Sequence, residues 1–238
     1  MVSLVKIRVA KSFETLADQL REQILSGVIL PGQTLPNERE LGERTGLSRG
    51  SVREALRVLE TQGLVATRLG RNGGRVAVQP DAGILQDSVD HFIRGQQVEF
   101  SKILETIEEI EPSLARLAAR HRTAEDIALI TALEDQLKAT TNALKFHQVN
   151  GHWHLAVANA SHNPLLIAIA RVLGPRMHRP HVANFLSKSV RQAVIKAIGS
   201  IRMAIVAEDA EAAHRRMLRH MLAYREQVMA VAPKTVKL

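Results

Sequence analysis

The sequence predicts a mainly α-helical protein of two domains. Residues 1–79 read as a helix-turn-helix domain with a small β-hairpin, and residues 84–230 as an all-α antiparallel helical bundle. Three observations predict this. "NERELGERTGLSRGSVREALRVLETQG", Asn37 to Gly63, sets two helical patterns either side of the break "GLS". "GLVATRLGRNGGRVAV" reads as two short strands, Leu64 to Arg68 and Arg75 to Val78, joined by a glycine-rich basic tip. Beyond "VQPDAG", Val78 to Gly83, glycine and β-branched clusters thin out and apolar residues recur every 3.6 positions.

In chain order, "SFETLADQLREQILSG" places Phe13, Leu16, Ala17, Leu20, Ile24 and Leu25 at helical spacing, with Ser12 as N-cap and Gly27 as stop. "LPGQTLP" interrupts the chain with two prolines, which lack the amide that a helix interior uses. Asn37 then caps a short helix with Glu40 three residues on, the spacing of a capping box, and Gly46 ends it. Ser48 caps the next helix, whose Val52, Ala55, Leu56 and Leu59 form one apolar stripe. That stripe leaves Arg49, Gly50, Ser51 and Arg53 outward. Further on, helices are expected over Ile84 to Ile93, Phe100 to Arg120, Ala124 to Leu144, Phe146 to Ser161, Pro164 to Leu186, Val190 to Ala207 and Ala210 to Ala230. With aromatic residues at only 3%, aliphatic side chains must fill the bundle core.

Composition narrows the function. A chain of 238 residues, 45% of them hydrophobic, is long enough for one large or two modest domains, each with its own core. The absence of cysteine excludes disulfides, thiolate zinc sites and cysteine nucleophiles. No apolar run approaches the roughly 20 residues of a bilayer helix. "MVSLVKIRVAKSFETL" is too mixed in charge for a secretory signal, so the expected location is the cytoplasm, with no membrane partner. The net charge of +8 suits a polyanionic partner, and residues 1–79, with 12 basic and 8 acidic residues, carry it at the higher density. No HExxH, nucleophile–base or paired-carboxylate pattern supports an enzyme.

The outward residues of the second helix need a reason. Two arginines at a helix N-terminus oppose its dipole by about 0.3 to 1 kcal/mol each, and nothing in the helix's own folding asks for them. An anionic partner offsets that cost. A short positioning helix, a three-residue turn and a second helix with polar outward N-terminal residues form the geometry that enters a DNA major groove. The hairpin tip is then a wing, whose glycines permit close approach to a phosphate backbone or minor groove. The plain alternative is a solvated face in which the arginines pair locally with Glu54 and Glu60.

"LADQLREQILSGVILPGQTLPNERELGERTGLSRGSVREALRVLETQGLV" resembles the winged-helix DNA-binding domain of GntR-type bacterial transcription regulators, through nearly all of residues 13–79. The resemblance implies DNA contacts at Arg39, at the turn and helix start Ser48, Arg49, Gly50, Ser51 and Arg53, and at wing glycines such as Gly73 and Gly74. Arg49 and Arg53 fit guanine best, since a guanidinium fork matches its O6/N7 edge. Two departures, Gly50 where many members carry a larger residue and the long tip "GRNGGR", keep base preference from being carried over.

"IEEIEPSLARLAAR", "WHLAVANASHNPLL" and "AIVAEDAEAAHRRMLRHML" resemble the helical FCD effector domain of the FadR-type branch of that family, over most of residues 84–228. Such domains commonly hold a divalent metal through an aspartate and three histidines, and the metal grips a small carboxylate. Here those positions carry Asn150, His154, Ile198 and His220, and the position of a frequent carboxylate-binding arginine carries Ile107. Two of four ligands are lost and only His154 and His220 remain of the set, so no tightly held cofactor is expected, with a weakly held divalent metal as the alternative. His147 is seven residues from His154, about 10 Å along a helix, too far to share one ion; His178 and His181 flank Pro180 with nothing to aim them inward. Two readings remain open: a semi-polar core, or an effector pocket of Ile107, Asn150, Trp153, His154, Ile198 and His220. His121, His162 and His214 are expected at the surface, and "RHR", Arg120 to Arg122, at a solvated helix end.

The expected function is therefore a sequence-specific DNA-binding transcriptional regulator, a repressor, acting as a homodimer on operator DNA under control of a small-molecule effector. The alternatives are a ligand-independent DNA-binding protein and, after it, a metal-dependent enzyme.

Overall fold

The computed structural model describes residues 12–70, 73–80, 82–177 and 187–231. The chain divides into two compact units, Met1–Ile84 and Leu85–Leu238.

The first unit is ordered by its caps. Helix α1 spans Ser12–Leu25. Gly27 follows in the left-handed region at φ 78°. Helix α2, Glu38–Thr45, carries a complete capping box: the Asn37 side chain accepts from the Glu40 amide and the Glu40 carboxylate accepts from the Asn37 amide. Its C-terminus closes on Gly46 at φ 72°, a conformation that glycine adopts without a Cβ clash. Helix α3, Arg49–Thr61, is capped by the Ser48 hydroxyl, which accepts from the Ser51 amide. Asn37→Ala is expected to lower the unit's stability by about 1 kcal/mol, measurable by chemical denaturation.

Strands β1, Val65–Arg68, and β2, Gly74–Ala77, pair antiparallel in the register Val65↔Ala77 to Arg68↔Gly74. An isolated bridge from Thr34 to Val76 extends the hairpin. The core of this unit joins Leu16, Leu20 and Ile24 of α1, Leu41 of α2, the α3 stripe and Val65 and Ala77 of the hairpin.

The second unit comprises α4, Ala82–Gly95, from Leu85 onward, then α5, Phe100–His121, α6, Ala124–Ala139, α7, Ala143–Asn159, α8, Pro164–Met177, α9, Lys188–Val206, and α10, Ala210–Val231. Helices α5 and α10 pack along one another, with α6, α7 and α9 closing the bundle. Apolar residues of α5, α7, α9 and α10 form a continuous core.

Three sequence expectations need correction. The helix expected over Ala124–Leu144 stops at Ala139, because Thr140 turns to extended backbone. The next helix starts at Ala143, before the expected Phe146, because the Asn142 side chain caps it by accepting from the Lys145 amide. Arg122 is not a simply solvated helix end: its guanidinium donates to the Ile205 and Val206 carbonyls at 3.3 and 3.0 Å and pairs with Glu208 at 2.6 Å. A cation there satisfies carbonyls that the end of α9 leaves open. The expected helix Pro164–Leu186 is described only to Met177, so His178 and His181 lie outside the described residues.

Candidate functional site

Helix α3 is two-faced by construction. Val52, Ala55, Leu56 and Leu59 are fully buried, which fixes the rotation of the helix. The same rotation leaves Arg49, Gly50 and Arg53 exposed and Ser51 half-buried. Gly50 opens the surface further, since a Cβ there would meet only the Ser48 hydroxyl, at 3.8 Å. The Ser48 and Ser51 hydroxyls lie 3.0 Å apart, so both belong to the cap as well as to the exposed edge. Arg39 projects from α2, paired with Glu43 at 2.9 Å on the surface. An exposed pair of this kind contributes little to folding and can be exchanged for another anion.

Arg53 does not pair with Glu54 or Glu60. Its partner is Glu38 of α2, with Nη2 3.0 Å from Oε2 and Nε 3.3 Å from both carboxylate oxygens. Arg75 of β2 lies 3.9 Å from Glu38 and 2.7 Å from Glu60 of α3, and the Thr67 hydroxyl of β1 donates to Glu60 at 2.5 Å. Hydrogen bonding from Arg53 holds the Glu38 carboxyl below the ordinary carboxylate range, and the charges of Arg53, Arg75 and Arg49 add to this. Glu60 is lowered by its bonds from Thr67 and then Arg75. Sequence reasoning missed Glu38 and Arg75, because their partners lie 15 or more residues away.

The wing glycines answer to their own backbone first. A Cβ at Gly73 would sit 2.4 Å from the Arg68 carbonyl oxygen and 2.7 Å from that of Gly70, while the Gly73 amide donates to Gly70 at 2.8 Å. Gly74 holds φ 151°, which other residues rarely adopt. Arg71 and Asn72 lie outside the described residues. Leu69 beside them is 90% exposed, an apolar tip that the sequence reading did not single out.

In the bundle, Ile107, Trp153 and Ile198 belong to the apolar core, and Asn150, His154 and His220 are buried polar residues beside it. The His154 Nδ1 is 3.0 Å from Glu111 Oε2 of α5. The His154 and His220 rings lie nearly parallel with centroids 5.4 Å apart, and Trp153 stands edge-on to His154 at 5.3 Å. Burial, then the neighbouring His154, pushes His220 down to about 3, so its imidazole is neutral at physiological pH. The Asn150 Oδ1 and the Trp153 Nε1 are buried without a hydrogen-bond partner among the described residues. His147 is also buried, His121 and His162 are exposed and His214 is half-buried; His162 meets Asp126 at 2.7 Å.

These residues do not fit a tightly held divalent ion. Among the described residues no three His, Asp or Glu side chains are placed to hold one. Ile198, fully buried in the core, supplies an aliphatic group where a donor would be needed. Asn150, His154 and His220 offer an amide oxygen and two imidazoles with no carboxylate among them, which does little to stabilise a dication. Protein purified without chelator is expected to contain less than one tightly held metal ion per chain by elemental analysis, and chelator is expected to leave its melting temperature unchanged.

Comparison with known proteins follows the same division. Residues 13–76 match the family model "Bacterial regulatory proteins, gntR family", and residues 102–223 match the FCD domain. The chain is 34% identical over 164 residues to the Glc operon transcriptional activator of Escherichia coli (strain K12), covering 65% of this chain and 62% of that protein. It is 27% identical over 226 residues to the Uxu operon transcriptional regulator of the same organism, covering 89% and 84%. Thus the chain spans somewhat under two thirds of the length of the first of these relatives. A solved structure described as Streptococcus agalactiae GntR superposes with a TM-score of 0.69 at 26% identity, over 90% of this chain and 99% of that one. Among the described residues no helix is long and apolar enough to cross a membrane. A capped helix-turn-helix with a paired hairpin, followed by a helical bundle and matched in that order by both models, makes the chain a member of the GntR family of bacterial regulatory proteins with an FCD domain.

Proposed function

We propose that the protein is a sequence-specific DNA-binding transcriptional regulator of the FadR-type branch, a repressor whose hold on its operator is set by a small molecule in the bundle. The observation that carries the reading is the outer edge of α3: Arg49, Gly50 and Arg53 are exposed and Ser51 half-buried beside a fully buried stripe, so the core itself holds them off the packed face. As a homodimer, two such helices would enter successive major grooves, and the preferred site would be a palindrome with half-sites about one helical turn apart. Arg39 and the wing, including Gly73, Gly74 and the exposed Leu69, would lie along the backbone and the adjacent minor groove.

The proposed effector site is the region of Ile107, Asn150, Trp153, His154, Ile198 and His220. Its apolar wall with one amide and two imidazoles suits a ligand that does not depend on a metal-bound carboxylate. A ligand shifts the regulator between states only through its different affinity for the two.

Selection of duplexes from a random pool with the full-length chain tests the reading. An enriched palindrome supports it, and a pool that stays random contradicts it. A compound that raises the melting temperature and also changes binding to the selected duplex separates a ligand-controlled regulator from a ligand-independent DNA-binding protein.

A further inference from the structure

Arg53 stands on the proposed reading edge, yet it is not an unattached cation. A guanidinium has two flat hydrogen-bonding edges: a side edge through Nε and Nη2, and an end edge through both Nη groups. Glu38 takes the side edge, at 3.3 Å from Nε and 3.0 Å from Nη2. The end edge stays open on a side chain that is 66% exposed, and an end-on fork matches the O6/N7 pair of guanine.

Glu38 is itself held in place. It opens α2, whose first turn is locked by the Asn37–Glu40 capping box, and its carboxylate also faces Arg75 of the wing. Arg75 is anchored in turn to Glu60 of α3. One carboxylate thus ties the reading helix to the wing strand, beside a cleft of about 500 Å³ that Glu38, Thr67, Gly74 and Arg75 help to line. Its charge suits the dipole at the start of α2, but Glu40 already supplies one there. On a surface that faces a polyanion, a carboxylate weakens binding to every duplex alike.

We propose that Glu38 is a specificity-determining residue that acts through Arg53. It fixes the angle of the fork and withholds that charge from phosphates, exchanging general affinity for discrimination between sequences. This rests on the reading of α3 as the DNA-recognition edge.

The test uses the full-length chain and two probes: the duplex that the wild type selects from a random pool, and a random-sequence duplex. Glu38→Gln, which keeps the size of the side chain and one carbonyl acceptor, and Glu38→Ala are each measured with and without Arg53→Ala. Both Glu38 variants are expected to bind the random duplex more tightly than wild type. Their ratio of selected to random affinity is expected to fall roughly tenfold, and the salt slope on the random duplex to steepen by about one unit, as a released cation meets a phosphate. In the Arg53→Ala background, removing Glu38 is expected to leave the ratio unchanged. A ratio within twofold of wild type in both single variants overturns the proposal. So does an equal fall with and without Arg53, which would mark Glu38 as merely structural. If the wild type itself enriches no sequence, the recognition reading fails first and Glu38 has nothing to determine.

Discussion

Arg49→Ala is expected to weaken binding to the selected duplex by about 1 to 3 kcal/mol and to relax preference at a single base position. Arg49 opens α3, exposed, with no ion pair among the described residues. Its orientation comes from the backbone: Ser48 caps the turn, and the buried Val52, almost one turn on, fixes the rotation of the helix. Truncation therefore removes the proposed reading group and is expected to leave the fold intact. The variant should melt with wild type, while binding curves against a set of single-base variants of the duplex lose discrimination at one position. Equal losses at every position would mark Arg49 as a phosphate contact, and no loss at all would displace it from the interface.

Trp153→Ala is expected to destabilise the bundle by about 3 to 5 kcal/mol, the range for removing a large buried aromatic side chain. Trp153 is fully buried on α7, within the core formed with α5, α9 and α10, and edge-on to His154. Its Nε1 has no partner among the described residues, so Trp153→Phe gives up little hydrogen bonding and is expected to cost much less than the alanine variant. Denaturant titration of both variants measures the difference. Because it is the single tryptophan, its fluorescence reports only this part of the bundle, and a compound bound beside it should alter the emission. Equal costs for Phe and Ala would mean that the indole nitrogen is satisfied or that the ring is less tightly packed than the structure shows.

The legible parts of the molecule were the local ones. Asn37 and Glu40, Ser48, Gly46 and the Val52–Leu59 stripe are signals confined to one or two helical turns, and they place α2, the turn and α3. Because that stripe fixes the rotation of α3, the outward setting of Arg49, Gly50 and Arg53 was legible too. Pairings over distance were not. Glu38 meets Arg53 across 15 residues, and Arg122 reaches carbonyls 83 and 84 residues away, contacts that no periodicity encodes. The α6–α7 break was placed a few residues late, between Leu144 and Phe146, because the apolar pattern runs on through it, although "TTN", Thr140 to Asn142, held the signal: two β-branched residues and an N-cap. In the bundle, Asn150 and Ile198 were visible in sequence as departures from the ligand set that the resemblance implies, but the bond from His154 to Glu111 and the neutrality of buried His220 came only from packing.

The most direct test of the reading edge is the binding of the full-length wild-type chain to its selected duplex and to a random duplex, measured across a range of salt concentrations. An outward cationic edge that reads bases gives a steep fall of log Kobs with log [salt] on both, and a preference of roughly a thousandfold or more for the selected duplex near physiological salt. Binding that ignores salt, or that treats the two duplexes alike at every concentration, would contradict it.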